Sequence, residues 1–310
     1  MSKDNVTPTP AIGDEEPMEE PTIQEQLKKF SGRPIEDRKK WYVPVADAYD
    51  KARPKYPQSI CNRILGLANI SNDSKSEVKI LEIGCGPGTA TINFAPRGYD
   101  MLCVEPNPAF CDIARKNCSK YPNVRITTMA FEEWEPAGDE QFDLVIAANA
   151  FHWVQPEVGY QKVANALKPD GHFALLWNMN LEPTREVWEK YLQPFFEGSL
   201  VPILSKRYEG PARQKEILTE LGQTMEKSGY FDGPTIESME CNHTYTHENF
   251  LTLQRTYSHV VALSEEDSSK FFDGLRQALE KIPVVNDEDA VTKQIQLFNL
   301  CGFQIAKKKA

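Results

Sequence analysis

No apolar run in the 310 residues approaches the roughly 18 needed to cross a bilayer, so a spanning helix is not expected. The first twenty residues carry Pro, Glu and Asp where a secretory leader would have a basic and then an apolar stretch, and a cytoplasmic location is the expectation. Basic residues are in deficit: 35 Lys and Arg against 45 Asp and Glu give a formal charge of -10. A duplex needs a basic face opposite it, so the charge argues against a general nucleic-acid binder, although it does not exclude a local basic pocket. Metal-ligand spacing is missing as well. The seven cysteines are an odd number and none stands in a Cys-x-x-Cys pair, which argues against a structural zinc. Free, mostly buried thiols in a reducing compartment fit this usage.

What is present divides the chain. Residues 1–40 read as a disordered acidic tail, because the Pro- and Glu-rich start has too few large apolar groups to offset its ordering entropy. Residues 41–310 read as one α/β domain. Val78 to Ile83, Met101 to Val104, Val124 to Thr128, Phe142 to Ala148 and Phe173 to Trp177 are predicted strands. Helical patterns lie between several of them, as in a doubly wound, mostly parallel sheet. One helix is capped by Asn107 with Pro108 in its first turn. After Trp177 the rhythm turns helical, and residues 180–232 are expected to form an insertion over the active site. Ser264 with Asp267 resembles a capping box, and Gln294 to Leu300 is the last predicted strand.

The first βα turn carries the chemistry. Gly84, Gly86 and Gly88 let the backbone turn sharply and a ligand approach it closely. Ligands of open α/β sheets sit at the carboxyl ends of strands. Glu105 follows about 20 residues on, where an acid can accept hydrogen bonds from ribose hydroxyls. The spacing is Gly-x-Gly-x-Gly with Thr89 next, so the dinucleotide pattern is not met, and no Gly-Lys-Ser/Thr completes a phosphate loop.

Glu82-Ile83-Gly84-Cys85-Gly86-Pro87-Gly88-Thr89 closely resembles the first motif of class I S-adenosylmethionine-dependent methyltransferases. Val104-Glu105-Pro106-Asn107, Ala130-Phe131-Glu132, Asn149-Ala150-Phe151-His152-Trp153 and Leu167-Lys168-Pro169-Asp170-Gly171 follow in that family's order. Upstream, Tyr49 to Pro57 resembles an element of the trans-aconitate methyltransferase-like subgroup, which has Phe-His-Trp after strand four. The resemblance covers roughly residues 45 to 305. It implies a seven-stranded sheet of order 3-2-1-4-5-7-6 with the seventh strand antiparallel. It also implies S-adenosyl-L-methionine as cofactor, with Gly84, Cys85, Gly86 and Gly88 against its amino-acid part and Glu105 on the ribose. Pro106 and Asn107 would lie near the adenosine, Phe131 and Glu132 at the adenine, and Asn149 and Ala150 near the sulfonium. Tyr49, Arg53 and Tyr56 would close over the cofactor, with Arg53 a candidate carboxylate partner. Cys85 stands where many members carry an acid, which removes one acceptor for the cofactor's ammonium.

The acceptor side is less defined. His152 is the candidate general base, since an uncharged imidazole is available at neutral pH; the alternative is a histidine packed beside Trp153. Trp153 and Trp188, with Tyr191, Phe195 and Phe196, are candidates for an apolar substrate wall or for plain core. Arg255 leads Arg207 and Arg213 as a clamp for a carboxylated substrate. The leading expectation is methyl transfer to a small-molecule oxygen, carboxylate or hydroxyl. A nicotinamide-dependent oxidoreductase on a similar sheet, or a cofactor-binding regulator without turnover, are the alternatives.

Overall fold

The computed structural model describes residues 23–71, 77–201, 208–283 and 293–309. The apolar run at the start of the domain forms β1 (Lys79–Ile83), buried at all but its first residue. A strand covered on both faces reads as a continuous apolar run, as parallel sheets require. It pairs in parallel with β2 (Asp100–Glu105) on one side and β4 (Phe142–Ala148) on the other. β3 (Val124–Thr128) extends the sheet beyond β2, and β5 (Leu167–Asn178) extends it beyond β4. β7 (Gln294–Lys307) then runs antiparallel between β5 and β6 (Thr235–Thr246). The order is 3-2-1-4-5-7-6, the one anticipated. The order in which strands are added reverses between the parallel neighbours β1 and β4, so their carboxyl ends open a crevice where such sheets bind ligands.

Helices cover both faces. α4 (Gln58–Leu67) and α5 (Thr91–Phe94) bring Ile64 and Phe94 onto Ile80, Met101, Leu144 and Ile146. α7 (Pro156–Ala166) and α10 (Gly210–Lys227) bring Val163, Leu218 and Met225 onto Leu81, Val145 and Phe173. α6 (Pro108–Asn117) starts where expected: the Asn107 side chain accepts from the Ala109 and Phe110 amides, a cap worth about 1 kcal/mol. A third apolar cluster lies apart. There α8 (Arg185–Val187), a π-helical turn (Trp188–Leu192) and α9 (Gln193–Gly198) pack on α11 (His247–Gln254), α12 (Ser258–Val261) and α13 (Glu265–Glu280) through Leu192, Phe196, Leu253, Val260 and Leu275. Ser264 caps α13, accepting from the Asp267 amide and donating to its carboxylate.

Three expectations need correction. The tail was expected to be disordered to residue 40, but α1 (Ile23–Ser31) and α2 (Ile35–Lys40) are helices, anchored by Phe30 against His152 and Trp153 and by the buried Arg38. Residues 1–22 lie outside the described residues. The 180–232 stretch does not roof the crevice among the described residues; α10 covers a sheet face and the 185–198 helices join the third cluster. The last strand runs on to Lys307 and is buried nearly throughout its second half, while β6 has no counterpart among the predicted strands.

No helix among the described residues is long and apolar enough to cross a membrane.

Candidate active site

The crevice at the β1–β4 junction is a cleft lined by six segments distant in sequence. Its floor is the turn after β1. Gly84 and Gly86 have φ of 64° and 55°, in the left-handed region that costs a side-chain-bearing residue. A Cβ on Gly84 would sit 2.6 Å from that of Ala150, so a glycine and an alanine together let the loops after β1 and β4 touch. A Cβ on Gly86 would meet nothing within 4 Å, because that position faces the open cleft. Gly88 turns the other way, against Ala114 and Cys118, and is the one predicted turn glycine that does not line the cleft.

Glu105 closes the end of β2. Its two carboxylate oxygens accept from the Gly86 amide at 2.9 Å and the Asn107 amide at 2.8 Å. The acid thereby ties the turn to the start of α6 and keeps lone pairs free. Burial pushes its pKa up to about 7, although both amide hydrogen bonds pull the other way. Next to it, Asn107 and Thr89 line the cleft, and the buried Nδ2 of the first and Oγ1 of the second have no hydrogen-bond partner among the described residues. Buried polar atoms are nearly always satisfied, so these two mark where a polar ligand belongs.

The β4 side is held by a strained residue. Asn149 is one of two non-glycine residues with positive φ among the described residues, at 49°. Asn tolerates this conformation best of the larger residues, and here its side chain is bonded on three sides. Oδ1 accepts from the Tyr56 hydroxyl at 2.7 Å and the Asn178 amide at 2.6 Å, while Nδ2 donates to the Asn178 carbonyl. Ends of β4 and β5 are thus locked to Tyr56.

The roof comes from the N-terminal segment, including α3 (Ala46–Ala52). Ile35, Arg38, Tyr42, Tyr49, Arg53 and Tyr56 all line the cleft. Arg38 forms an ion pair with Glu132 at 2.6 Å, the side chains only 6% and 10% exposed, and also donates to the Trp153 carbonyl. Arg53 is gripped differently: Nε and Nη2 donate to the Oγ1 and carbonyl of Thr256, both at 2.8 Å. The rings of Tyr49 and Tyr257 lie 5.0 and 4.3 Å from its guanidinium carbon. No carboxylate among the described residues pairs with it.

Of the predicted site residues, Tyr49, Arg53, Gly84, Cys85, Gly86, Glu105, Pro106, Asn107, Phe131, Glu132, Asn149, Ala150 and Trp153 meet at this cleft. The Cys85 thiol is pushed well up by the Cys103 thiol beside it and by burial, so it stays protonated. Others lie elsewhere. Trp188 stacks on Phe196 at 5.1 Å in the third cluster, with Tyr191 and Phe195. Arg255 lies over Phe272 at 4.0 Å, Arg213 pairs with Glu216 and Glu220, and Arg207 is outside the described residues. His152 does not line the cleft but the cavity behind it. Its ring packs among Phe30, Trp153 and Trp177, 5.3 to 5.7 Å away. Burial, aided by the Arg53 charge, lowers its pKa to about 4, so it is neutral at pH 7 and a weak base. Sequence reasoning missed Ile35, Arg38, Tyr42, Thr89 and Asn178. Thr89 was legible only as the end of the first motif, and the three N-terminal residues only by the 35, 38, 42 spacing that brings one helical face back.

The sheet order, the glycine turn at its switch point and the acid ending β2 together define a class I methyltransferase fold with a nucleoside-cofactor cleft. A profile described as "Methyltransferase domain" matches residues 80–171. A methyltransferase-like protein of Schizosaccharomyces pombe, itself uncharacterised, is 30% identical over 262 residues, covering 82% of this chain and 91% of the relative. A Saccharomyces cerevisiae protein described as a probable S-adenosylmethionine-dependent methyltransferase is 31% identical over 180 residues, covering 56% and 58%. A structure from Anaeromyxobacter dehalogenans, solved as a candidate type II methyltransferase, superposes with a TM-score of 0.53 at 19% identity, over 82% of this chain and 97% of that one. The chain belongs to the class I S-adenosylmethionine-dependent methyltransferases, and its cofactor is S-adenosylmethionine. The nicotinamide reading falls with that assignment. The cleft fits the cofactor: it offers an open position over Gly86, orphaned polar groups at Asn107 and Thr89, and a buried acid with spare lone pairs.

Proposed function

We propose that this enzyme methylates a small-molecule acceptor at oxygen, and that the oxygen belongs to a carboxylate. The observation that carries the reading is Arg53, a buried guanidinium on the cleft wall with no acidic partner among the described residues. A buried cation without a counter-charge is costly, and a ligand carboxylate, the acceptor's or the cofactor's own, would relieve that cost through a charge-assisted contact of about 1.5–3 kcal/mol. Supporting it, no histidine among the described residues lines the cleft, and His152 is too weak a base to activate a hydroxyl well. A carboxylate needs no base, since it is already ionised at neutral pH.

The roles follow from position. The Gly84–Gly86 backbone borders the amino-acid part of the cofactor, Glu105 takes the ribose hydroxyls, and Phe131 with Glu132 borders the adenine. Tyr42, Tyr49 and Tyr56 give the aromatic faces that suit a sulfonium cation. When bound, S-adenosylmethionine supplies an electrophilic methyl and a neutral thioether as leaving group. The protein's own contribution is alignment and exclusion of water, which together supply roughly 7–11 kcal/mol in well-oriented reactions. The roof over the cleft, made of single side chains from α2 and α3, suits a small acceptor better than a protein surface.

The test is to incubate the enzyme with methyl-labelled S-adenosylmethionine and a panel of carboxylic acids and alcohols. A methyl ester releases volatile methanol in mild alkali, whereas an ether or methylamine does not. Alkali-labile label from acids alone supports the reading; label that resists alkali refutes it.

A further inference from the structure

Behind the 3-10 turn Phe151–Trp153 lies a second cavity of about 410 Å³, within the ~300–1,000 Å³ range of small-molecule sites. Five elements enclose it: α1, that turn, the start of α7, the end of β5 and the last turns of α10. Its wall is apolar, made chiefly of Phe151, Leu175, Trp177 and Leu221, and the Tyr160 and Thr224 hydroxyls on it satisfy each other at 2.8 Å. His152, which lines it, has a buried Nδ1 with no hydrogen-bond partner among the described residues. The cavity adjoins the cofactor cleft, since Val154 lines both and His152 is followed directly by Trp153 of the cleft wall. Lys28 and Lys227 stand with Glu157 at its rim.

We infer that this cavity receives the apolar body of the acceptor, so that the substrate class is a carboxylic acid with an extended hydrocarbon part. The inference rests on the carboxylate reading above and gives it a shape. The carboxylate lies toward Arg53 and the cleft, the hydrocarbon runs past His152 toward Leu175 and Leu221, and His152 Nδ1 is free to meet a polar atom on the acceptor. The wall explains why length matters: each methylene taken from water strengthens binding about fourfold. α1 bridges the 3-10 turn and α10 and so closes the cavity from outside, which gives the N-terminal helices a part in acceptor choice.

The experiment is calorimetric titration of the full-length enzyme, saturated with S-adenosylhomocysteine, with decanoate and with butyrate. Decanoate is expected to bind at least a hundredfold more tightly than butyrate. Leu221→Trp, which fills the cavity, should weaken decanoate at least tenfold and leave S-adenosylhomocysteine affinity unchanged. Thr224→Trp fills the same space from a half-buried position and serves if the first variant does not fold. Equal affinities for the two acids, or wild-type decanoate affinity in both variants, would overturn the inference. So would loss of decanoate binding in Lys28→Gln/Lys227→Gln, since the carboxylate would then sit at the rim. Decanoate binding that the filling variants abolish, but that yields no alkali-labile methyl, would uphold the cavity assignment and sink the carboxylate reading instead.

Discussion

If Glu105 takes the ribose hydroxyls, as proposed, cofactor binding tightens as pH rises through neutrality. In the free protein burial raises its pKa to about 7, so near neutrality half the molecules hold a protonated acid. Ribose hydroxyls donate to an ionised acceptor, and the acid must lose its proton before it can take both. If binding returns the group to its ordinary value of 4.5, affinity for S-adenosylhomocysteine is about twentyfold weaker at about pH 5.5 than at about pH 7.5, or about 1.8 kcal/mol. About half a proton should leave at about pH 7, which titrations in buffers of different ionisation enthalpy will count. Glu105→Gln should flatten the profile and weaken binding about tenfold or more at about pH 7.5, the loss of a charged hydrogen-bond partner. Stability carries the same signature with opposite sign. The folded state holds this proton more tightly than the unfolded chain, so the contribution is full below about pH 4.5 and is lost as pH rises through about 7. Without ligand, wild type should therefore lose ground to Glu105→Gln across that window. Affinity independent of pH, or proton uptake on binding, would refute the placement of the sugar on this acid.

Three further outcomes are expected. Gly86→Asp puts a side chain into the open cleft at a position with φ of 55°; S-adenosylhomocysteine binding should vanish, while the strain of about 1–3 kcal/mol leaves the protein folded, and calorimetry beside a melting curve separates the two. Asn149→Ala removes the bonds to Tyr56 and Asn178 and loses a residue suited to its backbone, so urea unfolding should show about 2–4 kcal/mol of destabilisation. Arg38→Met strands Glu132 as a buried charge, and breaking such a pair costs about 3–5 kcal/mol. Because Arg38 sits on a terminal strap, hydrogen exchange should rise in residues 23–42 before the sheet is affected, and Arg38→Met/Glu132→Gln should restore much of the protection.

What could be read from the sequence was what is encoded locally. β1 and β4 are buried on both faces, so their composition alone marks them. β6 is an edge strand with no fully buried residue and with Glu237, Glu240 and Asn242 along it; its sides alternate only over 240–245, among mostly polar side chains, which does not set it apart from a loop in the sequence. The cofactor half is legible for a similar reason: the turn demands glycine at Gly84 and Gly86 whatever lies around it, and Glu105 answers from the next strand. Arg38 shows the limit. By composition it counts as one more solvated charge in an acidic tail, and only Glu132, 94 residues away, turns it into a buried roof post. Trp188 and Phe196 have the helical spacing of a pocket wall and of a core alike, and the long-range partners Leu253 and Phe271 decide for core. The cavity proposed for the acceptor is assembled from α1, the turn after β4, α7, β5 and α10, none of which forms it alone. A cofactor shared by a family is gripped by backbone that the local sequence must permit, whereas an acceptor is gripped by side chains that only the fold brings together.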